Sequence, residues 1–184
     1  MPEAPHPENP SPRIYVASLS DYNDGNLHGV WIRAAQEPDE LQAQVSLMLA
    51  ASDQPGAEEF AIHDYEGFGP CRLGEYETLT LVSAIAMGIE EHGPAFAHYA
   101  RVLDEVSLDN LRLFDDRYRG HWQSMEAYAE NYLEDMGVDL DLLIPDDWLR
   151  PYVTLDANAF GRELETEMAT SEGDSGIYVF EVPN

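Results

Sequence analysis

Residue patterning points to an α+β chain of three small modules, and its uncompensated charge favours an elongated arrangement of them. These are an N-terminal α+β module over 13–70, a central helical module over 71–107 and a C-terminal α+β module over 108–184. Three observations lead there. Short β-type runs alternate with stretches of helical period at both ends of the chain. The middle holds one stretch, 79–89, that is apolar nearly all round. Pro and Gly punctuation separates the pieces, and no internal repeat is evident.

Residues 1–12 carry Pro2, Pro5, Pro7, Pro10 and Pro12. Proline at that density removes helix and ladder donors, so the segment reads as a disordered tail. Positions 13–17 read as a strand with Ile14 and Val16 on one face, followed by a turn-rich stretch over 21–29. Val30 to Ile32 resumes the strand pattern, giving a hairpin-like unit around Asp24-Gly25. Pro38 sits at a helix start with Asp39 and Glu40 in its first turn. Leu41, Val45, Met48 and Leu49 follow at helical spacing, and Phe60 and Ile62 mark a third strand. The all-round apolar stretch 79–89 predicts a buried helix. Gly93-Pro94 ends it, and a second helix is expected from Ala95 to Val106. Residues 111–118 are expected to be extended. Ser124 is a good N-cap for a helix through Met136, with Gly137 just beyond. Met125, Tyr128, Ala129, Tyr132 and Met136 form its apolar stripe. Pro145 and Pro151 bracket a connector. Asp156 heads a helix with Phe160 and Leu164, in which Gly161 is an unfavourable residue. Positions 177–182 form a final strand.

Charge is the abnormal property. The 184 residues hold 36 Asp and Glu against nine basic residues, a formal net charge of -27. All nine are arginine; there is no lysine. That removes the P-loop, Schiff-base enzymes and the kinase and class A β-lactamase signatures, which all need a lysine. A nucleic-acid binder needs a basic footprint, and this chain has the opposite, so direct nucleic-acid binding and attraction to anionic membranes are not expected. The single cysteine, Cys71, permits no internal disulfide or zinc cluster. No apolar run reaches the roughly 18–20 residues of a membrane span, and no signal-peptide pattern opens the chain, so a cytoplasmic protein is expected. Leu, Ile, Val and Phe number 42, enough for a core.

Between positions 120 and 149 there is no Arg or Lys, while Glu126, Glu130, Glu134, Asp135, Asp139, Asp141, Asp146 and Asp147 all fall there. Glu126, Glu130 and Glu134 are spaced i, i+4, i+8. On a helix they make a ridge with steps of about 6 Å, off the apolar stripe. A solvated helix face is the plain account of one such ridge. For the whole chain, uncompensated charge costs self-repulsion and asks for a reason. Duplex DNA carries one charge per roughly 1.7 Å of axis, so 27 charges correspond to about 46 Å, or roughly 13 base pairs. Carboxylates on one long surface would therefore rival DNA for a basic cleft. Asp104, Glu105, Asp109, Asp115 and Asp116 join the candidates. The rival account is adaptation to high salt, in an acidic enzyme or metal-binding protein of unknown substrate. Adaptation should spread charge evenly, whereas mimicry should line it up.

Other constellations are weaker. His63, Asp64 and Glu66 suggest a metal or acid–base site, but neighbouring strand residues point to opposite faces. Asp21, Asn23, Asp24 and Gly25 imitate a calcium loop with glycine one place early and Ile32 where a bidentate Glu is required. The pairs Asp115-Asp116 and Asp146-Asp147 have no convergent third ligand. Ser175 lacks the nucleophile-elbow context. His28, His92, His98 and His121 show no metal-ligand spacing. No catalytic residue, metal or cofactor is assigned.

RIYVASLSDYNDGNLHGVWI (13–32) and GAEEFAIHDYEGFG (56–69) resemble the N-terminal half of the ArdA antirestriction proteins. YRGHWQSMEAYAENYLEDMG (118–137), PYVTLDANAFGREL (151–164) and IYVFEV (177–182) continue the likeness in the same order. The likeness implies a non-catalytic DNA mimic carried by mobile elements. Its partner would be the methyltransferase core of type I restriction-modification enzymes in the host cytoplasm, where it occupies the DNA-binding groove. The family is also described as elongated, curved and homodimeric. Phe114 and Tyr118, on the stretch expected to be extended, are the candidates for the dimer junction.

Overall fold

The computed structural model describes residues 11–144 and 146–181. The chain divides into two compact units, Met1–Phe114 and Asp115–Asn184.

In the first unit, Ile14 and Val16 are buried on strand β1 (Arg13–Ser18). The chain then makes one short helix, α1 (Leu19–Asn23), where the sequence suggested only turns. Ser18 caps it by accepting from the Asp21 amide. β2 (Gly29–Arg33) returns antiparallel to β1, pairing Ile14 with Ile32 and Val16 with Val30. Helix α2 (Pro38–Ala50) begins at its proline and buries Leu41, Val45 and Met48. β3 (Phe60–Glu66) pairs antiparallel with the other edge of β1, so the sheet order is β2-β1-β3. A register shift in β3 falls opposite Tyr15 and Val16.

Thr78 caps α3 (Leu79–His92), the apolar helix, by accepting from the Leu81 amide. Gly93 separates it from α4 (Pro94–Val102), which starts at its proline. The two pack closely because Gly88 has no side chain: a Cβ there would stand 2.3 Å from the Phe96 ring. α4 ends four residues before the expected Val106, since Leu103 turns to extended backbone. The Asn110 side chain then ties back to the Glu105 carbonyl.

The expectation of an extended stretch over 111–118 is corrected. Ser107 caps α5 (Leu108–Leu111), and α6 (Phe114–Arg117) follows. Leu111 and Phe114 are both buried, three residues apart, as one face of a helical path requires. Tyr99 fixes that path by donating its hydroxyl to the Asn110 carbonyl at 2.7 Å.

Of the Pro-rich segment, residues 1–10 lie outside the described residues. Ser11 and Pro12 are held: the Pro12 carbonyl accepts from the Ala34 amide at 2.7 Å. Ser11 donates to Glu90 at 2.5 Å, and Arg33 donates to the other Glu90 oxygen at 2.6 Å. The Ser11 hydroxyl and Arg33 together hold the Glu90 carboxyl below its ordinary value.

In the second unit, β4 (Tyr118–Trp122) starts at the last residue of the stretch just corrected. Ser124 caps α7 (Met125–Asp135) by accepting from the Ala127 amide. Gly137, at φ 68°, turns the chain away after it. The connector after α7 runs beyond the two prolines and holds a short helix α8 (Leu140–Leu143) and a 3₁₀ turn (Arg150–Tyr152). Asp156 caps α9 (Ala157–Leu164) as expected, accepting from the Ala159 amide at 2.8 Å. β5 (Met168–Gly173) and β6 (Gly176–Glu181) form a hairpin, giving the sheet order β4-β6-β5. β5 was not expected from the sequence, and Val182, at the end of the expected last strand, lies outside the described residues. The core joins Met125, Tyr128 and Ala129 of α7 to Leu164 of α9 and Val179 of β6.

Candidate partner-binding surface

α7 sorts its residues by face. Met125, Tyr128 and Ala129 are buried and Tyr132 packs beside them, its ring 5.9 Å from Phe160. Met136 is a correction to the expected stripe: it is the C-cap residue, past the last turn, and it is exposed. On the other face Glu126, Glu130 and Glu134 are all exposed, as the i, i+4 spacing requires. Asp135 closes the helix, also exposed.

The next carboxylates sit on the connector. Asp139 accepts from the Asp141 amide at 2.8 Å and starts α8. Asp141 accepts from Arg150 Nε at 2.5 Å, which brings the two ends of the connector together. The Asp146 carbonyl takes the amides of Leu149 and Arg150. Asp139, Asp141, Asp146 and Asp147 are exposed. Asp115 and Asp116 are exposed on α6. In the first unit Asp104 and Glu105 lie exposed in the loop after α4, and Asp109 of α5 pairs with Arg112 at 3.4 Å. Thus every carboxylate chosen from the sequence faces solvent. Asp109 and Asp141 hold surface ion pairs with arginine, a kind of contact worth at most about 1 kcal/mol.

The two junction candidates have places within their own chain. Phe114 is only 4% exposed. Its ring lies 4.6 Å from His92, 5.2 Å from Phe96 and 5.5 Å from Tyr99. Tyr118 is half-buried, 5.6 Å from the Phe180 ring.

The weaker constellations resolve into packing and capping. His63 lies 4.7 Å from the Tyr22 ring and 4.0 Å from Glu75, while Asp64 takes the Tyr65 amide. Asp21 is buried and accepts from the Ser52 hydroxyl at 2.6 Å, binding α1 to the end of α2. His28 Nε2 is 2.7 Å from the Met48 carbonyl oxygen. The His121 ring lies tilted against Tyr178, 4.5 Å away. Among the described residues no group of three or more His, Cys, Asp or Glu is arranged to hold a metal ion. Cys71 is buried, and burial pushes its thiol up to about 11. No helix among the described residues is long and apolar enough to cross a membrane.

One feature of this surface escaped the sequence reading. The segment after α7 exposes Leu142, Leu143, Trp148, Tyr152 and Leu155 beside its carboxylates. The signal was present as Trp148 and Leu149 between two prolines and Tyr152 just after the second, in a stretch without apolar period.

A family model described as Antirestriction protein (ArdA) matches residues 14–179, nearly the whole chain. No curated protein matches it closely enough to count as a relative.

Proposed function

The chain belongs to the ArdA family of antirestriction proteins, and from that premise we propose that it inhibits type I restriction-modification enzymes without catalysis, as an acidic stand-in for duplex DNA. One observation supports the reading beyond membership: all thirteen carboxylates picked out by their sequence context are exposed. They take the place of phosphates against the Lys and Arg side chains of the enzyme's DNA-binding groove. Affinity then comes largely from counterion release and electrostatic steering. Nothing here imitates base edges, so inhibition ignores the enzyme's recognition sequence. The elongated three-module arrangement, the homodimer and action in the cytoplasm, where such enzymes work, belong to the same reading. No metal or cofactor enters it.

The test is a titration of purified type I enzymes that differ in recognition sequence. Near-stoichiometric inhibition of several of them, without turnover and without added metal, is the expected result. Chemical conversion of a substrate by the chain itself would favour an enzyme instead.

A further inference from the structure

Soluble surfaces rarely leave large apolar side chains standing in a group, and such groups mark interaction sites. The connector of the second unit does so. Leu142 is 81% exposed, Trp148 71% and Tyr152 80%, with Leu143 and Leu155 exposed as well. Four carboxylates stand in the same segment: Asp139, Asp141, Asp146 and Asp147. Its one basic residue, Arg150, is already engaged by Asp141.

Charge decides what can cover this mixture. A second copy meeting it across a two-fold axis would bring the same patch onto itself. Eight carboxylates would then crowd one contact, and like-charge juxtaposition opposes that. A basic surface has the opposite character. Arginine pairs with carboxylates through its fork and stacks on the faces of Trp and Tyr. Lysine satisfies the charge but stacks less well.

We propose that the exposed apolar side chains of this connector, with Trp148 and Tyr152 at their head, anchor the chain on an arginine-rich protein surface. They add a salt-resistant component to an otherwise electrostatic contact. This rests on the antirestriction reading for the identity of the partner, but not for its chemistry. DNA offers a protein no counterpart of such an anchor on its phosphates, so the contact goes beyond imitation of charge.

Two measurements test it. In the first, the ¹⁵N-labelled chain is titrated with nonaarginine and with nonalysine, and the indole N–H of Trp148 is followed. The Trp148 signal should shift with nonaarginine more than with nonalysine, whereas the amides of Glu126, Glu130 and Glu134 should respond alike to both. No response at Trp148, or an equal one to the two peptides, overturns the anchor. In the second, Trp148→Gln/Tyr152→Gln competes with DNA for a purified type I methyltransferase. Both side chains are exposed, so the melting temperature should match the parent. Binding should weaken roughly tenfold, with the slope of affinity against salt unchanged, because no charge is lost. Parental binding by the variant overturns the proposal. So does a variant that passes from dimer to monomer in sedimentation while binding the enzyme normally, which would assign the patch to a second copy. If the parent chain ignores every type I enzyme while Trp148 still prefers nonaarginine, the function reading fails and the basic occupant stands.

Discussion

Gly161 lies where α9 meets the first turn of α7, and a Cβ there would stand 2.9 Å from the Met125 carbonyl oxygen. Backbone cannot retreat as a flexible side chain can. In a free helix Ala would gain up to about 1 kcal/mol over Gly. Here overpacking, typically about 1–3 kcal/mol, outweighs it. Gly161→Ala should therefore lower stability by about 1–2 kcal/mol, read from the urea midpoint, while leaving α9 helical by circular dichroism. A stabilised variant would mean that the two helices can separate at no cost. Asp21 makes a second residue-scale case. The hydroxyls of Ser18 and Ser52 hold its carboxyl below the ordinary 3.8. A depressed folded value means that the unfolded chain binds the proton first as pH falls. The contribution is thus whole above about pH 4 and disappears as pH drops through the folded value. Asp21→Asn should destabilise the fold at pH 7 and narrow its gap to the parent at pH 2.5–3, measured by thermal melts across that range. A gap that stays constant with pH would show that the carboxyl's charge adds nothing.

At the scale of elements, the ridge on α7 sets charge against fold stability. Replacing Glu126, Glu130 and Glu134 together by Gln keeps size and helix propensity while removing like-charge neighbours worth a few tenths of a kcal/mol each. The melting temperature should hold or rise, and inhibition of a type I enzyme should fall modestly, because charge is spread over many other positions. Unchanged inhibition would return the ridge to a plain solvated face. The same helix shows what local sequence can reveal. Its cap at Ser124, its buried stripe and its exposed ridge follow from spacing alone, as do the proline start of α2 and the all-round burial of α3. Where structure depends on distant partners, local pattern fails. Phe114 is buried because His92, Phe96 and Tyr99 surround it, and none of those rings is near it in sequence. β5 reads MATSEG, with Met168 its only large apolar residue, and it exists because β6 pairs with it along its length. The exposure of the carboxylates on α7 was legible, since their i, i+4 spacing sets them opposite the apolar stripe. The apolar side chains beside them were not, because periodicity reveals only what packs inward.

For the whole molecule the governing quantity is charge, and both units share it. Met1–Phe114 holds nineteen acidic residues against five arginines, and Asp115–Asn184 seventeen against four. Neither unit can neutralise the other, so any arrangement that brings them close raises self-repulsion. If the chain works as a surrogate duplex, its charges belong along a line rather than over a sphere, and a dimer lengthens that line. A compact particle of two such chains would have a radius of gyration near 21 Å by the usual scaling. Solution scattering at moderate salt should give a dimer clearly larger than that, with a distance distribution skewed to long vectors. Binding to the enzyme should weaken steeply with salt, with a log–log slope of several units. The fold itself should persist at low salt, because burial of Leu, Ile, Val and Phe holds each core and does not need screening. The rival account, adaptation to high salt, requires the reverse: a chain that unfolds below molar salt and whose charge serves only its own solvation. A compact monomer at micromolar concentration would remove both the rod and the dimer, and family membership with acidic composition would then stand alone in support of mimicry.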